Sequence, residues 1–440
     1  MGLCLTQSHA GFLLATKSAS PHATPLEAHS NRGEACDGIE VTPEGGIMKN
    51  LIKALTPLGI MVLVTACAET STAPNSADAS RSRTANSAVK FWDVGASASW
   101  NELATDLTTR RVTNANRLYP YLSLAQLRAA QAAMAIRPHP PISSAIGAAS
   151  AVVLSSFFPD DVAEIEGVLD AQRVDAPWPG AKHEDFATGE ALGRAVGAKV
   201  LAFAQGDRFG LADPGTSPIG PGYWLSNGGP IVRGNYRARP FFIASDSEFR
   251  PAPPPAFGSP EYVAALAEVR HISDTRTSEQ LAIALYWNLN QSPTRNAAMN
   301  NLAVELIRSH RRGDADAARI LFLANASAFD ALIGCFDAKY HYWLIRPPQA
   351  DPGIVPAFPV PPHPSYPSAH SCISGAMTGV LAAEFPSERS RVEAVALEAS
   401  LSRIYAGIHY RFDSQVGLAL GRAVAGKAEA ANLEKVAALP

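Results

Sequence analysis

The chain has 440 residues, of which 47% are hydrophobic and 18% are charged, and its formal net charge is −3. This is the composition of an ordinary globular protein with ample material for a core. The near-neutral charge balance argues against a nucleic-acid-binding protein, which would usually carry a basic excess.

The N-terminal region has the features of an export signal. Residues 48–67 contain two lysines, an apolar stretch and a run of small residues that ends at Cys67, as in a secretory signal. The tail Val-Thr-Ala-Cys resembles a bacterial lipobox, which predicts a lipid on Cys67. We therefore expect an exported, periplasmic lipoprotein that is anchored to a membrane of the bacterial cell envelope.

The segments on either side of this signal are predicted to lie outside the folded domain. Residues 1–47 show no periodicity and Met48 is predicted to be the true start, so they would form a non-functional extension. Residues 68–88 are polar and rich in small side chains, which is typical of a flexible tether. The folded domain is expected to cover residues 89–440.

This folded part is predicted to be helical. Apolar residues recur with a spacing near 3.6 among strong helix formers, as in amphipathic helices. No alternating run is long enough to indicate a sheet, so the predicted fold class is all-α, a single helical bundle. The predicted helices cover residues 122–136, 143–156, 160–172, 187–205, 260–271, 278–289, 296–312, 315–345, 368–385, 388–406 and 410–435.

Two irregular connections interrupt the helical pattern. Residues 206–259 are rich in glycine, proline and aromatic residues, and residues 347–367 hold nine prolines. A long loop inside a compact domain usually has a functional reason. The second connection ends at a Pro-Ser-Ala-His sequence, which suggests that reason.

Two cysteines, Cys335 and Cys372, lie in the body of the chain. Their spacing is not that of a zinc site. They could form a disulfide, or they could be two buried thiols, and the second interpretation is favoured.

The first cluster of chemically active residues lies at 339–347, Lys-Tyr-His-Tyr-Trp-Leu-Ile-Arg-Pro. Lys339 and Arg346 are separated by two helical turns, so both side chains are predicted to leave one face of a helix. Pro347 and Pro348 are expected to end that helix directly after Arg346. A solvent-exposed basic face is the alternative interpretation.

The second cluster is Pro-Ser-Ala-His at residues 367–370. Ser368 is a good N-cap residue, and the first amides and the dipole of the helix behind it favour an anion in front of it. His370 would lie in the first turn, near the same point. The alternative is an ordinary capping serine followed by a surface histidine.

The third cluster lies at residues 402–413 and contains Arg403 and His409. The two residues would not share a face of an unbroken helix, so they converge only if the chain bends, and Gly407 is the predicted bend. Asp413 follows His409 by four residues, so on a helix its carboxylate could hold the imidazole in one tautomer. Such a carboxylate typically supports a metal-bound or nucleophilic histidine.

Small residues form two predicted packing ridges beside these clusters. Ser371, Gly375 and Gly379 recur every four residues after the second cluster, and Gly417 and Gly421 repeat the spacing after the third. Each ridge would allow a second helix to approach closely. Taken together, the three clusters predict a pocket in which fixed cations, a hydroxyl and two imidazoles surround one tetrahedral oxyanion.

The spacings K-x6-R-P, P-S-x-H and S-R-x5-H-x3-D resemble the three-part motif shared by vanadium-dependent haloperoxidases and type 2 phosphatidic acid phosphatases. The segments SEQLAIALYWN, ASAFDALIGCFDAKYHYWLIRP and HPSYPSAHS are similar to the bacterial haloperoxidase branch. The likeness extends over roughly residues 90–430. It implies the all-α fold of that group and a vanadate cofactor, or phosphate in a phosphatase.

The resemblance also implies a role for each site residue. Lys339, Arg346 and Arg403 would neutralise the equatorial oxygens of vanadate, and the Ser368 hydroxyl and the Ala369 amide would donate hydrogen bonds to it. His370 would be the acid/base, and His409 would bind vanadium. His363 and Phe336 would line a halide pocket. The group usually has glycine at position 369, and the added methyl is expected to restrict φ and to crowd the anion.

Three functions are therefore expected in order of preference. The first is a haloperoxidase that uses hydrogen peroxide and prefers bromide or iodide to chloride, with Lys339 polarising the peroxide. The second is a phosphatase in which His409 attacks phosphorus, Asp413 orients it and His370 protonates the leaving group. The third is a lipoprotein that binds an oxyanion without turnover. The resemblance leaves a homodimer open.

Overall fold

The computed structural model describes residues 95–111, 113–174, 183–211, 216–226, 234, 236–288 and 297–436. All of them belong to the second of two compact units, Ala73–Pro440. The predicted extension, signal segment and most of the tether lie outside the described residues. The predictions made for them therefore stay predictions.

The described residues form thirteen α-helices and no strand, which confirms the all-α fold class. A single isolated antiparallel bridge joins Tyr223 and Leu344. The helices, in chain order, are α1 Ala96–Arg110, α2 Ala115–Ala135, α3 Ile142–Phe157, α4 Val162–Val174, α5 His183–Gln205, α6 Pro260–Thr275, α7 Ser278–Tyr286, α8 Ala298–Ser309, α9 Asp314–Tyr342, α10 Pro347–Ala350, α11 Ala369–Glu384, α12 Arg389–Tyr405 and α13 Arg411–Glu429.

Helix α1 was not among the predicted helices. Its buried face combines Ala96, Ala104 and Trp100 with the polar side chains of Ser97 and Asn101. A face made of small and polar residues has little hydrophobic periodicity, so the usual signal for a helix is weak there. The helices that were predicted are present, and their boundaries differ from the predicted ones by a few residues.

Helix α9 is the central element of the bundle. It packs against α1, α2, α11 and α13. Its length and apolar composition would suffice to cross a membrane, but 89% of its most apolar window is buried inside the protein, as in the core helix of a soluble bundle. At its start, the Ser97 hydroxyl donates to the carbonyl of Asp314 over 3.1 Å, so the beginning of α1 lies beside the beginning of α9.

Helices α11 and α13 approach each other closely through the predicted small-residue ridges. A Cβ atom added at Gly375 would lie 2.7 Å from the carbonyl oxygen of Leu418, and one at Gly417 would lie 2.7 Å from that of Ser368. Because these clashes are with backbone atoms, only glycine permits the observed approach. The contact holds the start of α11 against α13.

Candidate active site

Lys339 and Arg346 reach one site by a reversal of the chain rather than from one helix face. Helix α9 ends at Tyr342, because Trp343 has a left-handed conformation with φ 53°. Arg346 is extended, with φ −80° and ψ 150°, and directly precedes the short helix α10. The prediction of an uninterrupted helix through Arg346 was therefore wrong, although both side chains point to the same region.

The Lys339 side chain is fully buried at the end of α9. Its Nζ donates to the carbonyl oxygens of Pro364 and Ser365, both over 2.8 Å. Burial disfavours the charged ammonium and lowers the pKa of Lys339 to about 8. The proline-rich connection thus wraps around a cation that the protein has removed from water.

Arg346 is also fully buried and makes contacts with both histidine-bearing segments. Its Nε donates to the carbonyl oxygen of His363 over 2.9 Å, and its Nη1 donates to that of Ile408 over 2.8 Å. Nη1 also lies 2.8 Å from His409 Nε2, and Nη2 lies 3.0 Å from His363 Nδ1. Burial lowers the pKa of Arg346 to about 10.

The second cluster begins helix α11 as predicted. Ser368 is its N-cap, and the Ser368 hydroxyl accepts a hydrogen bond from the Ser371 amide over 3.4 Å. Ala369 is the first helical residue, so its backbone is in a conformation that alanine adopts without strain. The expected restriction of φ by its methyl group therefore carries no cost. The methyl instead packs beside the aromatic cluster that contains Phe336.

Arg403 is a buried cation with unused hydrogen-bonding capacity. Its side chain lies over the ring of Phe358 at 5.0 Å, and its Nη1 donates to the carbonyl oxygen of Trp287 over 2.9 Å. Nε and Nη2 are buried and have no hydrogen-bond partner among the residues that the structure describes. Burial lowers the pKa of Arg403 to about 9. Buried donors left unpaired are costly, which indicates that a ligand with acceptor atoms belongs beside them.

His370 shares its ring nitrogen with Arg403. Arg403 Nη1 lies 2.7 Å from His370 Nε2, which is also 2.9 Å from the Trp287 carbonyl oxygen. The guanidinium can only donate and the carbonyl can only accept, so Nε2 of His370 is hydrogen-bonded to one of these two partners in either tautomer. The ring retains some exposure because it lines a cavity, yet the surrounding protein desolvates it. Burial, and then the charge of Arg403, lower the pKa of His370 well below its ordinary value.

His409 is oriented by the bend that was predicted before it. Gly407 has φ +74°, in the left-handed region, and His409 Nδ1 lies 2.7 Å from Asp413 Oδ2. His409 precedes α13, and Asp413 is the third residue of that helix. The prediction that both residues lie on one helix was therefore wrong. Burial and the charge of Arg346 lower the pKa of His409 well below its ordinary value. The neutral imidazole therefore donates through Nδ1 and accepts through Nε2.

Asp413 is fully buried, and its two carboxylate oxygens differ in the number of hydrogen bonds that they accept. Oδ2 accepts from the Ser365 hydroxyl over 2.5 Å and from the Tyr410 amide over 3.2 Å, in addition to His409. Oδ1 has no hydrogen-bond partner among the described residues. Burial raises the pKa of Asp413 to about 6. The carboxylate remains the acceptor that holds His409 at neutral pH.

Residues of the second and third clusters line a cavity of about 180 Å³. The predicted halide residues His363 and Phe336 both line it, with ring centroids 5.1 Å apart. Its lining residues are Asn116, Tyr236, Asn288, Leu332, Phe336, Phe358, Pro361, His363, Ala369, His370, Ile373, Arg403, Ile408 and His409. Lys339 and Arg346 lie behind this wall, where the proline-rich connection and His409 cover them.

Several of these residues were not predicted from the sequence. Asn116 and Tyr236 come from distant segments, and the Trp287 contribution is a main-chain carbonyl. None of these has a spacing or periodicity that marks it. Ser365 and Phe358 lie in the proline-rich connection, and Ser365 is part of HPSYPSAHS, so a signal was present but pointed only to its neighbours.

The donor set fits an oxyanion. Within the described ranges no group of three or more His, Cys, Asp or Glu side chains is placed to hold a metal cation. The site instead offers buried cations, a helix N-terminus and the unpaired N–H groups of Arg403. Vanadate or phosphate would be held by the same set: Lys339, Arg346, Arg403, Ser368, the Ala369 amide, His370 and His409.

Comparison with known proteins agrees with this geometry. Residues 318–428, which contain all three clusters, match the family model of the PAP2 superfamily. This region of the chain is therefore similar to the PAP2 superfamily. No curated protein sequence matches the chain.

Three solved structures of bacterial proteins share the fold of this chain. A vanadium-dependent iodoperoxidase has a TM-score of 0.63 and 23% identity, with 76% of this chain and 96% of that chain covered. The apo and holo forms of a bacterial vanadium-dependent chloroperoxidase have TM-scores of 0.57 and 0.56 at 13% identity. They cover 72% of this chain and 92% and 90% of theirs. At these identities the similarity shows the fold alone.

Proposed function

We propose that this protein is a vanadate-dependent haloperoxidase that oxidises a halide with hydrogen peroxide to hypohalous acid. The observation that carries the proposal is the pair of unpaired, buried N–H donors of Arg403, a residue that lines the same cavity as His409. Such a cavity is built for a ligand that offers both oxygen atoms and a centre able to accept an imidazole. Orthovanadate has both properties.

The chemistry divides between the cofactor and the chain. Bound vanadate would act as a Lewis acid that activates hydrogen peroxide, and vanadium would keep its oxidation state throughout. Lys339 and the two arginines would stabilise the negative charge that develops on oxygen. His409 would hold the cofactor through Nε2 while Asp413 fixes its tautomer. His370, a neutral imidazole that lines the cavity, would take the proton from hydrogen peroxide.

The composition of the cavity wall suits a peroxidase. The described residues that line it include no methionine or cysteine, the side chains that peroxide oxidises most readily. Apart from Tyr236 and three histidines, the wall consists of phenylalanine, aliphatic, proline, asparagine and arginine side chains.

The proposed halide is bromide or iodide. His363 and Phe336 present a polar and an apolar ring to the same part of the cavity. Arg346 Nη2 lies 3.0 Å from His363 Nδ1. The imidazole therefore contacts the cationic cradle that Lys339, Arg346 and Arg403 form. A large, weakly hydrated halide suits such a mixed surface better than chloride does.

A phosphatase is the second candidate, and one observation favours it. His409 has the arrangement of a nucleophile, because Asp413 accepts from Nδ1 and so keeps the lone pair on Nε2, which faces Arg346 Nη1 at 2.8 Å. Phosphate would occupy the same cradle, and His370 would protonate the leaving group. The third candidate, an oxyanion-binding protein without turnover, rests on Ala369, which lines the cavity where its methyl group would crowd the anion.

Two assays on one preparation separate these candidates. Protein loaded with orthovanadate is tested for peroxide-dependent bromination of a dimedone dye, and the metal-free protein is tested for phosphate release from p-nitrophenyl phosphate. A haloperoxidase brominates the dye, and the rate depends on orthovanadate, bromide and peroxide. Phosphate release without bromination would establish the phosphatase instead.

We also propose, on the N-terminal sequence, that the protein is exported and lipid-anchored through Cys67. Expression in a bacterial host with labelled palmitate should give a labelled protein, and Cys67→Ser should remove the label. Light scattering of the folded domain would report whether it forms a homodimer.

A further inference from the structure

Ser365 occupies a central place in the hydrogen bonding of the site, although it does not line the cavity. It is fully buried, and its amide donates to the carbonyl oxygen of Leu344 over 2.9 Å. Its carbonyl accepts from Lys339 Nζ over 2.8 Å. Its hydroxyl donates to Asp413 Oδ2 over 2.5 Å. One residue therefore contacts the first and third clusters and stands three residues before Ser368.

The hydroxyl of Ser365 determines which oxygen of Asp413 meets the imidazole. Three donors meet at Oδ2: Ser365 Oγ, His409 Nδ1 and the Tyr410 amide. The other oxygen, Oδ1, has no partner within the described ranges. Ser365 Oγ is 3.5 Å from His409 Nδ1, against 2.5 Å from the carboxylate, so its hydrogen bond goes to Asp413. Without it, the carboxylate could rotate until neither oxygen is aligned with the ring.

We propose that Ser365 is a positioning residue that holds Asp413 in the rotamer in which Oδ2 faces His409 Nδ1. This keeps the ring proton on Nδ1 and directs the Nε2 lone pair into the oxyanion site. The inference rests on the oxyanion site of the proposed function but not on which reaction takes place there. Its subject is the hydroxyl alone, because the main-chain bonds to Lys339 and Leu344 persist in any side-chain variant.

The first test measures the affinity for orthovanadate and for inorganic phosphate by titration calorimetry. Residues that orient a ligand histidine typically contribute 10- to 100-fold in affinity, so Ser365→Ala should weaken both anions by about 10-fold or more. Ser327→Ala is the matched control. Ser327 is buried on α9 and its hydroxyl also makes a 2.5 Å hydrogen bond, but to the carbonyl of Leu323. The control should bind as the unaltered protein does.

The second test separates positioning from a general structural role. If Ser365 acts through Asp413, then Ser365→Ala should cost less than about twofold in an Asp413→Asn background. A loss of the same size in both backgrounds would overturn the proposal, as would Ser365→Ala binding both anions normally. Ser365→Cys, similar in size but a weak donor, repeats the measurement if the alanine variant does not fold.

A spectroscopic readout is independent of anion binding and of turnover. The proton on His409 Nδ1 lies in a 2.7 Å hydrogen bond and should give a downfield proton resonance that Asp413→Asn removes. Ser365→Ala should shift or broaden this resonance, and Ser327→Ala should leave it in place. An unshifted resonance in Ser365→Ala would refute the positioning role. A protein that lacks peroxidase activity but shows the shift would refute only the proposed reaction.

Discussion

Arg346 Nη1 lies 2.8 Å from His409 Nε2, so a guanidinium faces the imidazole nitrogen that Asp413 leaves without a proton. The two residues come from different clusters, and the chain reversal at Trp343 brings them together. The contact joins the charge of the cradle to the ring that would bind the cofactor. It also explains part of the low pKa of His409, since a neighbouring cation disfavours the imidazolium.

His409→Ala should abolish orthovanadate binding, because it removes the imidazole whose Nε2 would bind vanadium. Calorimetry or the vanadium NMR signal of the bound anion measures the loss. His341→Ala is a suitable control, since His341 is an exposed histidine on α9. Unchanged affinity in His409→Ala would remove that residue from the site.

Arg403→Lys should weaken phosphate and orthovanadate by roughly 30-fold. Lysine keeps the charge but cannot place donors toward Trp287, His370 and the ligand at once. A lost hydrogen bond to a charged group is worth about 2 kcal/mol. Arg389→Lys, at an exposed position at the start of α12, should have no effect on affinity. Equal affinities for the two variants would show that the unpaired N–H groups of Arg403 do not meet the anion.

The pH dependence of anion binding should follow the low pKa of Lys339. The folded protein loses this charge as the pH rises through about 8, so phosphate affinity should fall with rising pH. In the unfolded chain the lysine stays protonated to about 10.5, so the unfolded state binds more protons between these values and the contribution of this group to stability rises with pH. Lys339→Met should remove both effects, and identical pH profiles in the variant would exclude Lys339 as their source.

Gly375→Ala should destabilise the protein by about 1–3 kcal/mol, because the new methyl meets the backbone of Leu418. Ser368 is the N-cap of α11, so a shift of α11 away from α13 would displace it from the anion. Anion affinity should therefore fall as well. Gly426→Ala on α13 is the control, since a Cβ there has open space and should stabilise slightly. Urea unfolding of both variants measures the difference, and equal midpoints would contradict the tight contact.

The outline of the fold and the members of the three clusters could be predicted because both depend on local spacing. The bend at Gly407 followed from the requirement that Arg403 and His409 meet. The end of α9 could not be predicted, because Trp343 adopts a left-handed conformation that its residue type does not favour. Helical spacing through Arg346 gave the right residues for a wrong reason.

Contributions from distant parts of the chain left no readable pattern. The carbonyl of Trp287 contacts Arg403 and His370 through the backbone, which any residue type could supply. Asn116 lines the cavity from α2, more than 200 positions before the nearest cluster. Such partners depend on tertiary packing, and no periodicity in a single sequence reports them.

Helix α9 separates the beginning of the folded domain from the candidate active site. Ser97 contacts Asp314 at the first turn of this helix, and Lys339 lies 25 residues further along it, which at 1.5 Å per residue is about 38 Å. A molecule held on a bead or an electrode through residues ahead of Gly95 would consequently keep its reactive end well clear of the support. An immobilised catalyst made in that orientation needs no added spacer.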